Sequence, residues 1–315
     1  MMLASGYEGL RRNAALLDLK DRTMLRVAGS DRARLLHAMS TNHVEELKFG
    51  GYCYAFFLDA QGHILADAHV LCTSDSILLD SEPEMRQALR QHLDKYIIAD
   101  DATVEDYTER YAVFGVEGPR AREVIENIGV DPVPDAGQWV PWDTRLVAPI
   151  SATGAPGYRI YAPAGDHQAL REQMFWSGTV EVTAEDIRTA RIENAHPRFG
   201  EEFGSTNLPQ ETRLMHALHF NKGCYLGQEI VERIRSRGRV NKVLAQMLIS
   251  TTTVPARGAK VKSGPIEIGQ IVTAAYSPGL GQVAAMAYLP AEKAVAGVAI
   301  TVDQVPAVVS GRAPA

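Results

Sequence analysis

Apolar and polar positions along the chain change period several times, and each change marks an element. Met24–Val27 reads as a strand. Ser30-Asp31 follows as a helix cap, and Ala33–Met39 places Leu35, Leu36 and Met39 on one helical side. Tyr52–Asp59 and His63–Cys72 read as two strands joined at Ala60-Gln61-Gly62, a hairpin signal. Ser76–Asp80 is a third short strand, Pro83 opens a helix to about Tyr96, and Thr103–Tyr107 closes the series with a strand.

The same order then recurs. Tyr111–Val116 is an apolar strand, Arg120–Ile128 a helix stopped by Gly129, Leu146–Ile150 and Tyr158–Tyr161 strands, His167–Trp176 a helix, and Thr179–Val182 a strand. Asp131–Pro141, rich in Pro and Gly, reads as an insertion loop. Two ferredoxin-like βαββαβ halves are the simplest arrangement of these elements. Thr183-Ala184-Glu185-Asp186 has capping-box spacing and starts a helix reaching Asn194, and Pro209–Phe220 and Gln228–Arg235 read as further helices. From Asn241 onward short β-rich runs alternate with Gly, Pro and Ser turns, as in a small barrel. The fold class expected is α+β with three parts: 1–110, 111–240 and 241–315.

A chain of 315 residues with 46% hydrophobic content can bury more than one core. Its net charge of −6 argues against general binding to nucleic acid or anionic membrane. The three cysteines, Cys53, Cys72 and Cys224, form no C-x-x-C pair and no zinc-ligand cluster, and they fall short of the four thiolates of an ordinary iron–sulfur site, so no metal centre is expected. No apolar run is long enough for a membrane span and the first residues carry no leader-like apolar stretch, which points to a reducing, cytoplasmic setting.

Chemistry concentrates in Lys222-Gly-Cys-Tyr-Leu-Gly-Gln-Glu229. Cys224 falls between an ammonium and a helix N-terminus, both of which favour a thiolate, so it is a candidate reactive cysteine; a buried structural cysteine in a glycine turn is the alternative. The octapeptide, continued by Ile230-Val231-Glu232-Arg233 and Arg237-Gly238-Arg239, resembles the signature of the YgfZ branch of the YgfZ/GcvT family, related to the glycine-cleavage T-protein. Arg191-Ile192-Glu193 with Phe199-Gly200 resembles the family's pterin-binding pattern. Met39-Ser40-Thr41-Asn42-His43 and Gly62-His63-Ile64-Leu65-Ala66-Asp67 resemble its N-terminal patterns.

The resemblance implies a T-protein-like three-lobed fold holding tetrahydrofolate or a one-carbon derivative. It also implies Glu193 as the bidentate acceptor for the pterin, with Arg191, Phe199, Asn42, Gln228 and Arg233 around the cofactor and Asp67, Lys222 and Cys224 carrying chemistry. His43 and Ala66 stand where the family has acids, and protonation of a leaving amine needs a carboxyl group in reach. The residues alone also allow a solvated helix carboxylate at Glu193, a cap at Asn42, a hairpin acid at Asp67 and a solvated charge run from Arg233 to Lys242. The first functional expectation is a folate-binding accessory protein for iron–sulfur cluster assembly, partnered by assembly proteins or client enzymes. The alternative is a folate-dependent aminomethyl- or methyl-transferase, and the third is a non-catalytic RNA-associated protein, for which the net charge is unfavourable.

Overall fold

The computed structural model describes residues 6–238 and 240–312. By contact density the chain forms two units. The first comprises the chain up to Ser151, Ala155–Thr183 and His216–Gln228; the second comprises Ala152–Gly154, Ala184–Met215 and the chain from Glu229 onward.

The first unit holds both ferredoxin-like halves. Helix α1 (Gly6–Arg12) and strand β1 (Ala15–Asp18) precede the first half. That half consists of β2 (Thr23–Ala28), α2 (Arg32–Met39), β3 (Tyr52–Leu58), β4 (Ile64–Cys72), β5 (Ser76–Ser81), α3 (Arg86–Tyr96) and β6 (Thr103–Asp106). Its sheet runs β3-β4-β5-β2-β6, the expected four-strand order with β3 added at one edge. The second half consists of β7 (Tyr111–Glu117), α4 (Ala121–Asn127), β8 (Val140–Trp142), β9 (Arg145–Ala148), β10 (Gly157–Pro163), α5 (His167–Trp176) and β11 (Val180–Glu181).

The second sheet runs β11-β1-β7-β10-β9-β8. The N-terminal strand β1 is inserted between β11, to which it is parallel, and β7, to which it is antiparallel. Asp131–Pro141 is therefore not wholly a loop: its end pairs as β8, and Trp139 is buried where Met24, Leu71 and Leu78 of the first sheet meet Val113, Ala148 and Tyr161 of the second. Helix α3 docks through Leu89 and Leu93, one turn apart on the same side. Asp31 does not cap α2 with its side chain; its carboxylate accepts from the Asp101 amide at 2.8 Å instead.

In the second unit α6 (Ala184–Glu193) packs Ile192 onto Leu244, Ala284 and Met286 of a closed six-stranded barrel. The barrel is made of β12 (Lys242–Ile249), β13 (Lys260–Ser263), β14 (Ile266–Ser277), β15 (Gln282–Pro290), β16 (Ala299–Val302) and β17 (Val305–Val309). The helix expected over Pro209–Phe220 is only α7 (Pro209–Thr212), because Arg213 turns left-handed at φ 64° and the Thr212 hydroxyl accepts the Leu214 amide at 3.1 Å. Helix α8 (Gln228–Arg237) outlasts its expected end and is closed by Gly238 at φ 64°. Arg239 lies outside the described residues. No helix among the described residues is long and apolar enough to cross a membrane.

Candidate functional site

In the first unit the signature turn is built onto the C-terminal end of α2, where helix carbonyls lack intrahelical partners. Lys222 Nζ donates to the carbonyls of His37 and Ser40, both at 2.5 Å, and the Leu226 amide donates to the Ala38 carbonyl at 3.0 Å. A cation at that end also complements the helix dipole. Gly227, at φ 81°, passes so close to the β3–β4 hairpin that a Cβ there would lie 2.6 Å from the Asp59 carbonyl oxygen. The turn therefore requires glycine at this position.

This arrangement redirects Lys222. Its ammonium is committed to α2, and it acts electrostatically on the Cys53 thiol. Burial lowers the Lys222 ammonium to about 8 against the pull of Cys53 and Glu45, and burial pushes the Cys53 thiol up to about 12. Cys224 is exposed, whereas Cys53 and Cys72 are half-buried. Iodoacetamide is therefore expected to label Cys224 faster than either strand cysteine by roughly tenfold or more, because the thiolate is the reacting form. Peptide mass spectrometry after timed labelling checks this, and equal rates in the folded protein would end the reactive-thiol reading.

Asp67 lies in β4, paired with Phe56 of β3, so Tyr54, Phe56, Asp67 and His69 share one face of the sheet while Cys53 and Ala66 face the other. The Tyr54 hydroxyl donates to Asp67 Oδ2 at 2.5 Å. Asp67 Oδ1 is buried and has no hydrogen-bond partner among the described residues. Burial, then the nearby Glu82 charge, raise this carboxyl to about 6 against the opposing effects of Tyr54 and Arg22. The result is an acid that holds its proton up to about pH 6 and has one oxygen available. Sequence reasoning passed over Tyr54, although the hairpin register would have placed it beside the acid.

Asn42 is fully engaged as a stitch. Its Nδ2 donates to the carbonyls of Tyr54 at 2.8 Å and His216 at 2.9 Å, and its Oδ1 accepts the His43 amide at 2.8 Å. Gln228 Oε1 accepts the Tyr225 amide at 3.1 Å, closing the signature turn against the start of α8.

The remaining candidates belong to the second unit. Glu193 ends α6, is buried, and accepts a short hydrogen bond on Oε1 from the Ser277 hydroxyl of β14. Gln246 Nε2 and Arg312 Nη1 donate to its carbonyl at 2.9 and 2.8 Å, which fixes the backbone beneath it. Arg191, two residues earlier, points elsewhere: it binds Glu202 at 2.5 Å, Glu201 at 2.6 Å and the His196 carbonyl at 3.0 Å. Its guanidinium thus holds the 196–202 segment. Phe199 is buried edge-on against Phe203, with ring centres 5.6 Å apart. Arg233 is exposed on α8, one turn from exposed Arg237.

The chain resembles known aminomethyltransferases along most of its length. One from Streptomyces avermitilis is 26% identical over 304 residues, covering 92% of this chain and 82% of that protein. Another, from Rubrobacter xylanophilus, is 23% identical over 293 residues, covering 91% of this chain and 78% of that protein. Among solved structures, glycine cleavage system aminomethyltransferase T from Bartonella henselae shares the fold with a TM-score of 0.89 at 19% identity, over 97% of this chain and 87% of its own. The GCVT N-terminal domain profile matches residues 2–222, and the chain belongs to that family.

Proposed function

We propose that this chain is a folate-dependent transferase of the aminomethyltransferase type, with tetrahydrofolate as its cofactor. The observation that carries the reading is Asp67, a buried acid raised to about 6, bonded by Tyr54 on one oxygen and with the other buried oxygen lacking a partner among the described residues. Such an oxygen fits a bound amine nitrogen, because an unsatisfied buried acceptor or donor is costly until a ligand meets it. Tetrahydrofolate supplies the nitrogen that takes up or releases the one-carbon unit. Asp67 Oδ1 gives a proton to the departing amine and takes one back, and Tyr54 fixes the orientation of the carboxyl while it does so. Glu193 accepts from the paired N–H groups of the pterin, with Ser277 holding its carboxylate in place. Phe199, Gln228 and Arg233 are assigned to cofactor contacts, and Arg191 and Asn42 to positioning.

Transfer of an aminomethyl group from a loaded lipoyl carrier to tetrahydrofolate is the direct test; no turnover with the folded protein would overturn the transferase reading. Calorimetry tests the cofactor separately. Glu193→Gln is expected to weaken tetrahydrofolate by about 1.5–3 kcal/mol, the range for a hydrogen bond to a charged group, and an unchanged affinity would remove Glu193 from the site.

A second reading places the chain in the YgfZ branch, as an accessory protein of iron–sulfur cluster assembly. The exposed Cys224 within the signature turn favours it. Tetrahydrofolate binding without transfer, together with a Cys224→Ser variant that keeps folate affinity but fails to support iron–sulfur enzymes in cells, would select this reading.

A further inference from the structure

Strands β4 and β5 are antiparallel, with Leu71 opposite Leu78 and His69 opposite Asp80. Continuing that pairing by two residues sets Asp67 opposite Glu82, on the same face, because residues two apart along a strand share a face. The Ser81 hydroxyl donates to the Asp67 carbonyl at 2.6 Å and ties the strands together at that point. Glu82 is mostly buried and fixed, since Arg22 Nη1 donates to its Oε1 while Arg22 Nε donates to Asp80 at 2.5 Å.

The charged and titratable groups around Asp67 are thus Tyr54 from β3, His69 along β4, Asp80 and Glu82 from the β5 strand and its end, and Arg22 ahead of β2. Arg22 is shared by two carboxylates, so its charge is divided between them. On the other face of β4, position 66 is alanine, fully buried opposite Phe57.

We propose that Glu82 is a positioning residue for Asp67: held opposite it by Arg22, its carboxylate favours a proton on Asp67 Oδ1, supplying from the end of β5 the second acid that position 66 lacks. Two carboxyl groups facing each other across a strand pair do not both ionise easily, and the one without a cation keeps the proton. Arg22 bonds Glu82 directly, whereas it reaches Asp67 only through space and the side-chain hydrogen bond to Asp67 comes from the Tyr54 hydroxyl. Oδ2 already accepts that hydroxyl, so the proton falls on Oδ1, the oxygen with no other partner among the described residues. The inference rests on the reading of Asp67 as proton donor, although the carboxyl pairing can be measured without it.

The test is a carbon-13 NMR titration of aspartate carboxyls in the whole chain, with the Asp67 signal identified by its loss in Asp67→Asn. In the native protein Asp67 is expected to titrate near 6. In Glu82→Gln it should fall below the native value while staying above the ordinary carboxylate value, because burial remains, and in Glu82→Asp it should fall less, because a negative charge remains. The alkaline limb of the transfer rate should move down in step. An Asp67 titration unmoved in both folded variants would overturn the pairing. A titration that moves as expected while Asp67→Asn transfers at the native rate would uphold the pairing and defeat the reading of Asp67 as donor.

Discussion

Asp80→Asn is expected to lower the unfolding free energy by about 3–5 kcal/mol, the cost of removing one partner from a buried ion pair. Asp80 is fully buried and accepts from Arg22 Nε at 2.5 Å, Arg159 Nη1 at 2.6 Å and the Tyr161 hydroxyl at 2.7 Å. It lies on β5 and its partners Arg159 and Tyr161 lie on β10, so the cluster joins the two sheets of the first unit. Burial alone would push the Asp80 carboxyl up, but the two guanidiniums hold it well below the ordinary carboxylate range. Asparagine keeps the shape and loses the charge. Arg159, whose Nε already has no hydrogen-bond partner among the described residues, is then left as a fully buried cation without its anion.

The sign of the pH dependence follows from the depressed value. The stabilisation from Asp80 is fully present above the unfolded-state value of about 4 and is lost as pH falls toward the lower folded-state value. Urea unfolding of both proteins from pH 7 downward measures this. The native chain should lose stability on acidification more steeply than the variant, and a difference below about 1 kcal/mol at pH 7 would mean that Glu82 takes over both arginines.

Much of the fold was legible because its signals are local. The apolar runs of β3 and β4 with the turn between them, the one-turn spacing of Leu89 and Leu93, and the turn-rich strands of the barrel each reveal an element without knowledge of its neighbours. What was missed depends on distant pairing. Strand β1 is four residues long, and its partners β7 and β11 lie far along the chain, so nothing near Ala15–Asp18 distinguishes it from a lead segment. The Lys260–Ser263 strand alternates charge with a single buried valine, too little for a periodic signal.

The candidate site divides in the same way. Asp67 could be read from its hairpin motif, but Tyr54 and Glu82 are brought to it by strand register, which a linear pattern does not encode. Lys222 lies two residues from Cys224, yet sequence spacing does not set the direction of a long side chain, and the unsatisfied carbonyls at the end of α2 attract the ammonium. Arg191 and Glu193, two apart on a helix, cannot face the same way. The first therefore binds Glu201 and Glu202 while the second meets Ser277.

Asp67→Asn is expected to slow aminomethyl transfer by roughly 10²–10⁴-fold, the usual contribution of a positioned general acid. The same substitution should make the protein more stable at neutral pH, and this pairing of effects separates an acid tuned for chemistry from a structural one. The folded-state value of about 6 lies above the ordinary aspartate value of 3.8. The favourable contribution of the protonated carboxyl is therefore complete below about 4 and is lost as pH rises through about 6, so at pH 7.5 the native chain carries an ionised, buried carboxylate. Asparagine stays neutral, still offers an oxygen to the Tyr54 hydroxyl, and avoids that cost, which the shift sets on the order of 2–3 kcal/mol. Unfolding curves should show Asp67→Asn more stable than the native chain at pH 7.5 and converging with it below about pH 4. A variant destabilised at neutral pH would show that the Asp67 carboxylate is held by contacts that favour its charged form, and the assignment of Asp67 as a proton donor would fall with it.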